Sequence, residues 1–436
     1  MTPPAASAAR LTPSLTRSAS ALSAALCGAL AAVGLLAGDT DVGGVLLGGG
    51  SGGPLTEIRW LVFALGAAPL AFMLTEREGL VVDRSVALAV SAVLAFVAYG
   101  AASALWSPAD GALVDGKLVG LALVGLYAVV VAVAASGPRA DVFAVWFWRS
   151  VAGVTVVLAL IGLLSLGGPG GRVAVLGGGP NVYGRLMGLG VYALLLVRLP
   201  HRYRTLGISA GGLLAVMMVL SGSRGALVAF AASAAVVLVL VRPRLRAVLK
   251  AVPLVAVVGA ALYHTGVYDL IEASVQERLV RLLIEEQYTA GRDVLYGAAL
   301  AMGLDAPVLG AGLAGFSTSE LHRYPHNLFL EAFAEGGSVG LLLVTAALAL
   351  CGRTLMRTAV GRTDRALRLG LWSYLLVAAM FSGELYDSRL VFVLPLLGAA
   401  QSLTPHGPPA PRPGRPPAGR TPPAPGPRLQ RRRRAL

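Results

Sequence analysis

Charge is what this sequence is short of. Only 13% of its 436 residues are Asp, Glu, Lys or Arg, about half the share of an ordinary soluble chain. Lys117 and Lys250 are its only lysines. So sparse a polar surface excludes a water-soluble or secreted globular body. Cysteine is scarce too. Cys27 and Cys351 stand far apart, each in or beside an apolar run, which excludes a disulfide framework and a cysteine metal site. Also missing is the weak ten-residue alternation of a transmembrane β-barrel, because the apolar stretches are long and continuous.

What is there is hydrocarbon. Hydrophobic residues make up 56% of the chain, and runs near twenty residues recur from end to end, the length an α-helix needs to cross a bilayer. The sequence therefore predicts an all-α, polytopic membrane protein with about twelve spans. They fall at roughly 20–38, 58–74, 85–105, 117–136, 142–165, 181–199, 205–221, 224–241, 249–265, 327–350, 367–383 and 389–403. The first run lacks a clear small-residue cleavage site and reads as a retained span rather than a signal peptide. The organisation expected is an N-terminal tail over 1–19, a transmembrane domain over 20–403 that includes one large external loop at 266–325, and a Pro/Arg-rich disordered tail over 404–436.

Formal net charge is +14. With the N-terminus placed in the cytoplasm, most of the basic residues fall in cytoplasmic segments, as the positive-inside rule requires. Both termini are then cytoplasmic. The terminal "RLQRRRRAL" is expected to touch anionic lipid headgroups rather than nucleic acid. Within the external loop, "YDLIEASVQERLVRLLIEEQ" spaces Val275, Leu279, Leu282 and Leu283 along one helical face, predicting an amphipathic helix lying on the membrane surface.

The arginines outside the cytoplasmic set are informative. Arg224 stands in "SGSRGALVAF", Arg185 in "GGGPNVYGRLMGLG", Arg292 in "TAGRDVLYG" and Arg389 in "GELYDSRLVF". Arginine binds phosphate through two parallel N–H donors and keeps its charge at any depth. Such a cluster on the external face points to a pyrophosphate or another polyanion. Each arginine could instead pair with a local acid, Asp387, Glu384, Glu331 or Glu335, and serve only the bundle. For Arg224, with no acid near it in sequence, binding is the better reading.

"RYPHNLFLEAFAEGG" opens an apolar run. His326 follows Pro325 where loop becomes helix, and Asn327 is placed as an N-cap. A histidine at the water–lipid boundary can be neutral and accept a proton, which makes His326 the candidate catalytic base. Glu331 and Glu335, four residues apart, share a helix face. They lie about 140° and 180° around the helix from His326, so neither forms a dyad with it. They are expected as buried partners for arginines on neighbouring helices, supporting the site as Asn327 and Arg389 do.

Taken in order, "LWSPADGAL", "RVAVLGGGPNVYGRLMGLG", "SRGALVAF", "YTAGRDVLYGAALAMGLDAPVLGAGLAGF", "PHNLFLEAFAEGGSVGLLL" and "SGELYDSRLVFVL" resemble the O-antigen ligase and O-antigen polymerase superfamily over about 105–395. The resemblance implies a GT-C-like membrane glycosyltransferase at the outer face of the cytoplasmic (inner) membrane. It would move a glycan from a polyprenyl (undecaprenyl) pyrophosphate to a hydroxyl of a glycan, lipid or protein acceptor, inverting and without metal or other cofactor, in surface polysaccharide assembly. It further implies His326 as the base and Arg224 and Arg292 as pyrophosphate contacts. Arg185 carries over less directly, because the family more often has an apolar residue after "PN". Two other classes compete. A flippase or exporter of lipid-linked sugars also suits twelve spans, although no repeat between the halves is visible. A metal-dependent transferase would use Asp39 and Asp41 of "GDTDVGG", a pair that turn chemistry equally explains.

Overall fold

Away from water every backbone N–H and C=O must find a partner within the chain, and an apolar run satisfies this by coiling into helix. The computed structural model describes residues 13–37, 82–137, 139–166, 172–175, 179–197, 199–242, 291–357 and 360–400, and over these it is all-helical. In chain order the α-helices are α1 (Pro13–Ala37), α2 (Arg84–Ala102), α3 (Gly111–Ser136), α4 (Ala140–Leu164), α5 (Pro180–Val197) and α6 (Arg204–Leu220). They continue with α7 (Arg224–Val241), α8 (Arg292–Asp305), α9 (Leu328–Arg357), α10 (Arg362–Ala378) and α11 (Arg389–Ala400). Seven of them, α2 to α7 and α9, are long and apolar enough to cross a membrane.

The count of twelve is thus not reached among the described residues. The expected spans at 58–74 and 249–265, the amphipathic surface helix, and the terminal tail all lie outside them. α10 has the 17 residues expected of its run but lies five positions earlier, and α11 is described over 12 residues, with Pro395 inside it. α8 is an element the sequence reading had folded into the external loop.

One large core joins α1 to α7 and α9 to α11, with Phe143, Phe147, Leu186, Met187, Leu214, Tyr374 and Phe392 at its centre. α1 packs on α4, α5 on α4 and α6, α10 on α7, α11 on α3, and α9 on both α2 and α8. Because the helices alternate in direction, the N-termini of α3, α5, α7, α9 and α11 gather at the same end of the bundle as the C-termini of α2, α6 and α10. Candidate functional residues concentrate at that end.

α9 is not the single continuous span expected over 327–350. It breaks at Gly337, whose φ of 60° and ψ of −158° are not helical. Breaking a helix orphans carbonyls on one side and N–H groups on the other. Here the segment 307–312 takes up both sets. Ala311 and Gly312 donate their N–H groups to the carbonyls of Ala334 and Glu335 (2.9 Å each), while Ser338 and Val339 donate to the carbonyls of Pro307 and Val308 (2.8 and 3.3 Å). Tyr99 of α2 secures the joint, donating to the carbonyls of Gly336 (2.9 Å) and Leu309 (3.1 Å).

A Cβ at position 337 would run into the Val308 carbonyl and the Gly310 nitrogen, and its φ lies where only glycine rests without strain. Gly337→Ala should therefore lower stability by about 1–3 kcal/mol. Thermal unfolding of the detergent-solubilised variant reads this directly, and an unchanged Tm would contradict it.

Candidate active site

Pro325, which has no N–H to give a helix, ends the approach to α9. His326 follows in the left-handed conformation with φ of 61°, a cost of order 1 kcal/mol for a side chain other than glycine. Asn327 then caps the helix as expected. Its Oδ1 accepts from the N–H groups of Phe329 (3.0 Å) and Leu330 (3.1 Å), so helix starts at Leu328 rather than at the histidine. The strained step turns the imidazole back into a nest of rings. The His326 centroid lies 4.6 Å from that of His322 and 4.8 Å from that of Tyr324.

His326 Nδ1 is buried with no hydrogen-bond partner. Burial first, then the neighbouring His322 and Arg292, push the imidazole down from its ordinary value of 6.5 to about 4. At neutral pH the ring is uncharged and able to take a proton. Arg292 is the first residue of α8, set by Gly291 at φ of 74°. Its guanidinium lies over the Phe381 ring, 6.0 Å from the centroid. Burial and the charge of Arg224 both hold its proton affinity below normal. His326, Arg292 and Arg224 thus form a chain of neighbours, each within electrostatic reach of the next. The sequence placed them on three separate turns, and the fold brings them together.

Arg224 opens α7, where Ser223 Oγ accepts from the Ala226 N–H (3.3 Å). The preceding turn is held by Arg172, which donates to the carbonyls of Ser221 (3.2 Å) and Gly222 (3.4 Å) and to Asn181 Oδ1 (3.2 Å). A Cβ on Gly184 would meet Ser221 Oγ and Ser223 Cβ at 2.6 and 3.0 Å, so α5 closes onto this turn only because that position is glycine. Tyr296, one turn into α8, donates its hydroxyl to the Met380 carbonyl (2.7 Å) and shares a hydrogen bond with Asn327. The arginine turn and the histidine turn therefore hang on the same loop after α10.

Beside this rim lies a second polar layer. Arg185 is buried, 4% exposed. One of its guanidinium nitrogens and an Asp387 carboxylate oxygen both sit within 3.0 Å of where a Cβ on Gly383 would be. Tyr324 joins the layers. Its phenol is pushed up to about 12 by burial and by the carboxylates of Asp387, Glu384 and Glu331, with Arg185 opposing. Glu384 is itself raised to about 6, chiefly by burial against the pull of Lys117. Arg389 does not occupy an exposed turn. It is fully buried and donates to the Leu35 carbonyl of α1, tying α11 to α1.

The expectation that Glu331 and Glu335 pair with arginines is corrected by the structure. Their partner is Lys117 of α3. Its Nζ lies 2.6 Å from Glu331 Oε1 and 2.7 Å from Glu335 Oε1. Glu335 Oε2 also accepts from the Ala314 N–H (3.0 Å). This latch fixes the first half of α9 and the segment that fills its break. Arginine is the commoner partner in buried ion pairs, but a compact ammonium with three donors can reach two carboxylates at once. Lys117 was visible as one of only two lysines. Its pairing was not, because nothing in a sequence announces a contact across more than two hundred positions. Tyr324, Tyr296 and His322 were also missed. For Tyr324 and His322 the available signal was their place beside His326 in "HRYPHN".

The arrangement offers a neutral imidazole that can take a proton, one guanidinium group within its electrostatic reach and a second next to that one, and a rigid scaffold beneath. A comparison with curated proteins gives no match. Residues 209–345 match the family model described as O-antigen ligase, a stretch containing Arg224, Arg292, His326, Asn327, Glu331 and Glu335 but neither Arg185, Lys117 nor Arg389. This segment, which carries the imidazole and the two arginines, is what the chain has in common with the O-antigen ligase family.

Proposed function

We propose that this protein transfers a glycan from a polyprenyl pyrophosphate to an acceptor hydroxyl at the outer face of the membrane. The observation carrying the reading is the adjacency of a neutral, partner-free imidazole nitrogen to Arg292 and, through it, to Arg224. The acceptor O–H gives its proton to His326 as its oxygen bonds to the anomeric carbon. On the opposite side of that carbon the bond to the pyrophosphate oxygen breaks, and the pyrophosphate leaves with the electron pair. Arg224 and Arg292 neutralise the growing charge, so a single displacement inverts the anomeric centre. Arg185, already beside Asp387, would bind donor phosphate only by exchanging that neighbour. It therefore contributes less than the other two.

Purified protein in lipid, given a polyprenyl-pyrophosphate-linked glycan with EDTA present, should consume the donor and release free polyprenyl pyrophosphate. Donor left intact while glycan crosses the bilayer of parallel vesicles would identify a transporter instead. Activity lost with EDTA and restored by a divalent cation would overturn the metal-free step.

Arg224→Ala should cost roughly 10²-fold in kcat, the usual loss of one charge-stabilising donor. Arg224→Lys should recover little of it, because a point charge does not reproduce the planar fork. Full recovery with lysine would show that charge alone matters.

The acid side of kcat/KM reports groups of the free enzyme. It should fall as pH drops through about 4, the value set by the burial of His326, and not near the ordinary 6.5. Once donor phosphate offsets the Arg292 charge, the same limb measured on kcat should move upward. Stability follows the sign of the same shift. Between 6.5 and 4 the unfolded chain binds a proton that the folded chain refuses, so stability declines as pH falls through that window.

A further inference from the structure

At the end of the bundle away from His326, a cavity of about 380 Å³ opens between the start of α2 and the end of α9, lined by Asp83, Arg84, Ser85, Leu88, Leu350, Arg353 and Arg357. Its volume falls in the range of small-molecule sites. Three guanidinium groups face one carboxylate, and that carboxylate is engaged. Asp83 caps α2, accepting from the Ser85 N–H (2.7 Å) and from the Ser85 hydroxyl. Arg357 lies within its electrostatic reach. Among the described residues no carboxylate within salt-bridge distance neutralises Arg84, Arg353 or Arg357.

From Ser338 to Arg357 is twenty residues, about 30 Å of helix, which is the thickness of a bilayer's hydrocarbon core. The cavity therefore sits at the opposite membrane surface from the candidate active site. Below the arginines its walls are Leu88, 48% exposed, and the half-buried Leu350. A charged mouth over an exposed apolar wall suits a molecule with an anionic head and hydrocarbon tails. A free phosphate would have no use for the leucines.

We infer that this cavity binds the phosphodiester headgroup of an anionic phospholipid, with Arg353 and Arg357 as forks on the phosphate and Leu88 and Leu350 against its acyl chains. Arg84 contributes from α2, so the bound lipid bridges α2 and α9. Simple adherence to the positive-inside rule would put arginines at this surface. It would not converge three of them on one cavity with a single, occupied acid.

The test is independent of any glycosyl transfer. Delipidated protein is titrated with phosphatidylglycerol, with phosphatidylcholine, and with inorganic phosphate, followed by native mass spectrometry and thermal unfolding. Wild type should keep phosphatidylglycerol and gain Tm from it, and should do neither with phosphatidylcholine. Arg353→Gln/Arg357→Gln should weaken phosphatidylglycerol binding roughly tenfold or more, at about 1 kcal/mol per guanidinium. If that pair fails to fold, Arg84→Gln, at an exposed helix start, should still weaken binding by roughly threefold to fivefold. Equal retention of the two lipids, retention unchanged in both variants, or a Tm gain from inorganic phosphate equal to that from phosphatidylglycerol would each overturn the assignment.

Discussion

His326→Ala is expected to lower glycan transfer by roughly 10²–10⁴-fold, the contribution of a positioned general base, while the protein still folds and inserts. The loss should fall on kcat and kcat/KM together if, as proposed, the imidazole acts on the acceptor proton and the arginines retain donor binding. The backbone supplies a sharper control. At φ of 61°, residue 326 is strained as histidine and as alanine, but not as glycine. His326→Gly should therefore be at least as stable as wild type and as inactive as the alanine variant. A glycine variant that is destabilised would mean that the rings of His322 and Tyr324 hold the turn by contact. Transfer surviving either substitution would remove His326 from the chemistry.

Lys117→Met should be strongly destabilising. It removes the ammonium between Glu331 and Glu335 and leaves both carboxylates buried in a cavity that Glu384 also lines, and breaking a buried ion pair in this way costs about 3–5 kcal/mol. The charges and not the lysine's bulk are responsible, so the triple variant Lys117→Met/Glu331→Gln/Glu335→Gln should regain most of the lost Tm. In it the Glu335→Gln side-chain oxygen can still accept from the Ala314 N–H. Failure of the triple variant to recover would show that the ammonium's own hydrogen bonds, rather than charge balance, hold the latch.

Helix positions were legible because an apolar run in a membrane has few alternatives. The starts of α5, α6, α7 and α9 lie within a residue or so of where the runs begin. His326, Arg224 and Arg292 were legible for a related reason: each stands at or just before a helix start, where polar side chains against an apolar run are conspicuous. The break at Gly337 was not. "EGGSVGLLL" keeps its apolar content through the break, and hydropathy carries no trace of which carbonyls a distant loop will satisfy. The partner of Glu331 and Glu335 failed for the same cause. Any cation at the right depth would serve, and depth on another helix is a property of the assembled bundle.

The latch also constrains how the chain is made. Lys117 and Glu331 are 214 positions apart, and at about 5–20 residues per second of synthesis the acids follow the base by roughly 10–40 s. During that interval α3 enters the membrane carrying a charge with no counterpart. Lys117 sits fewer than two turns from the start of its helix, near enough for its long stem to carry the ammonium out to the headgroups while it waits. When α9 arrives, the two glutamates would take up the ammonium, coupling insertion of the late helix to closure of the early one. A nascent chain halted before Glu331 should hold Lys117 open to water-borne amine reagents, and one released after Glu335 should shield it.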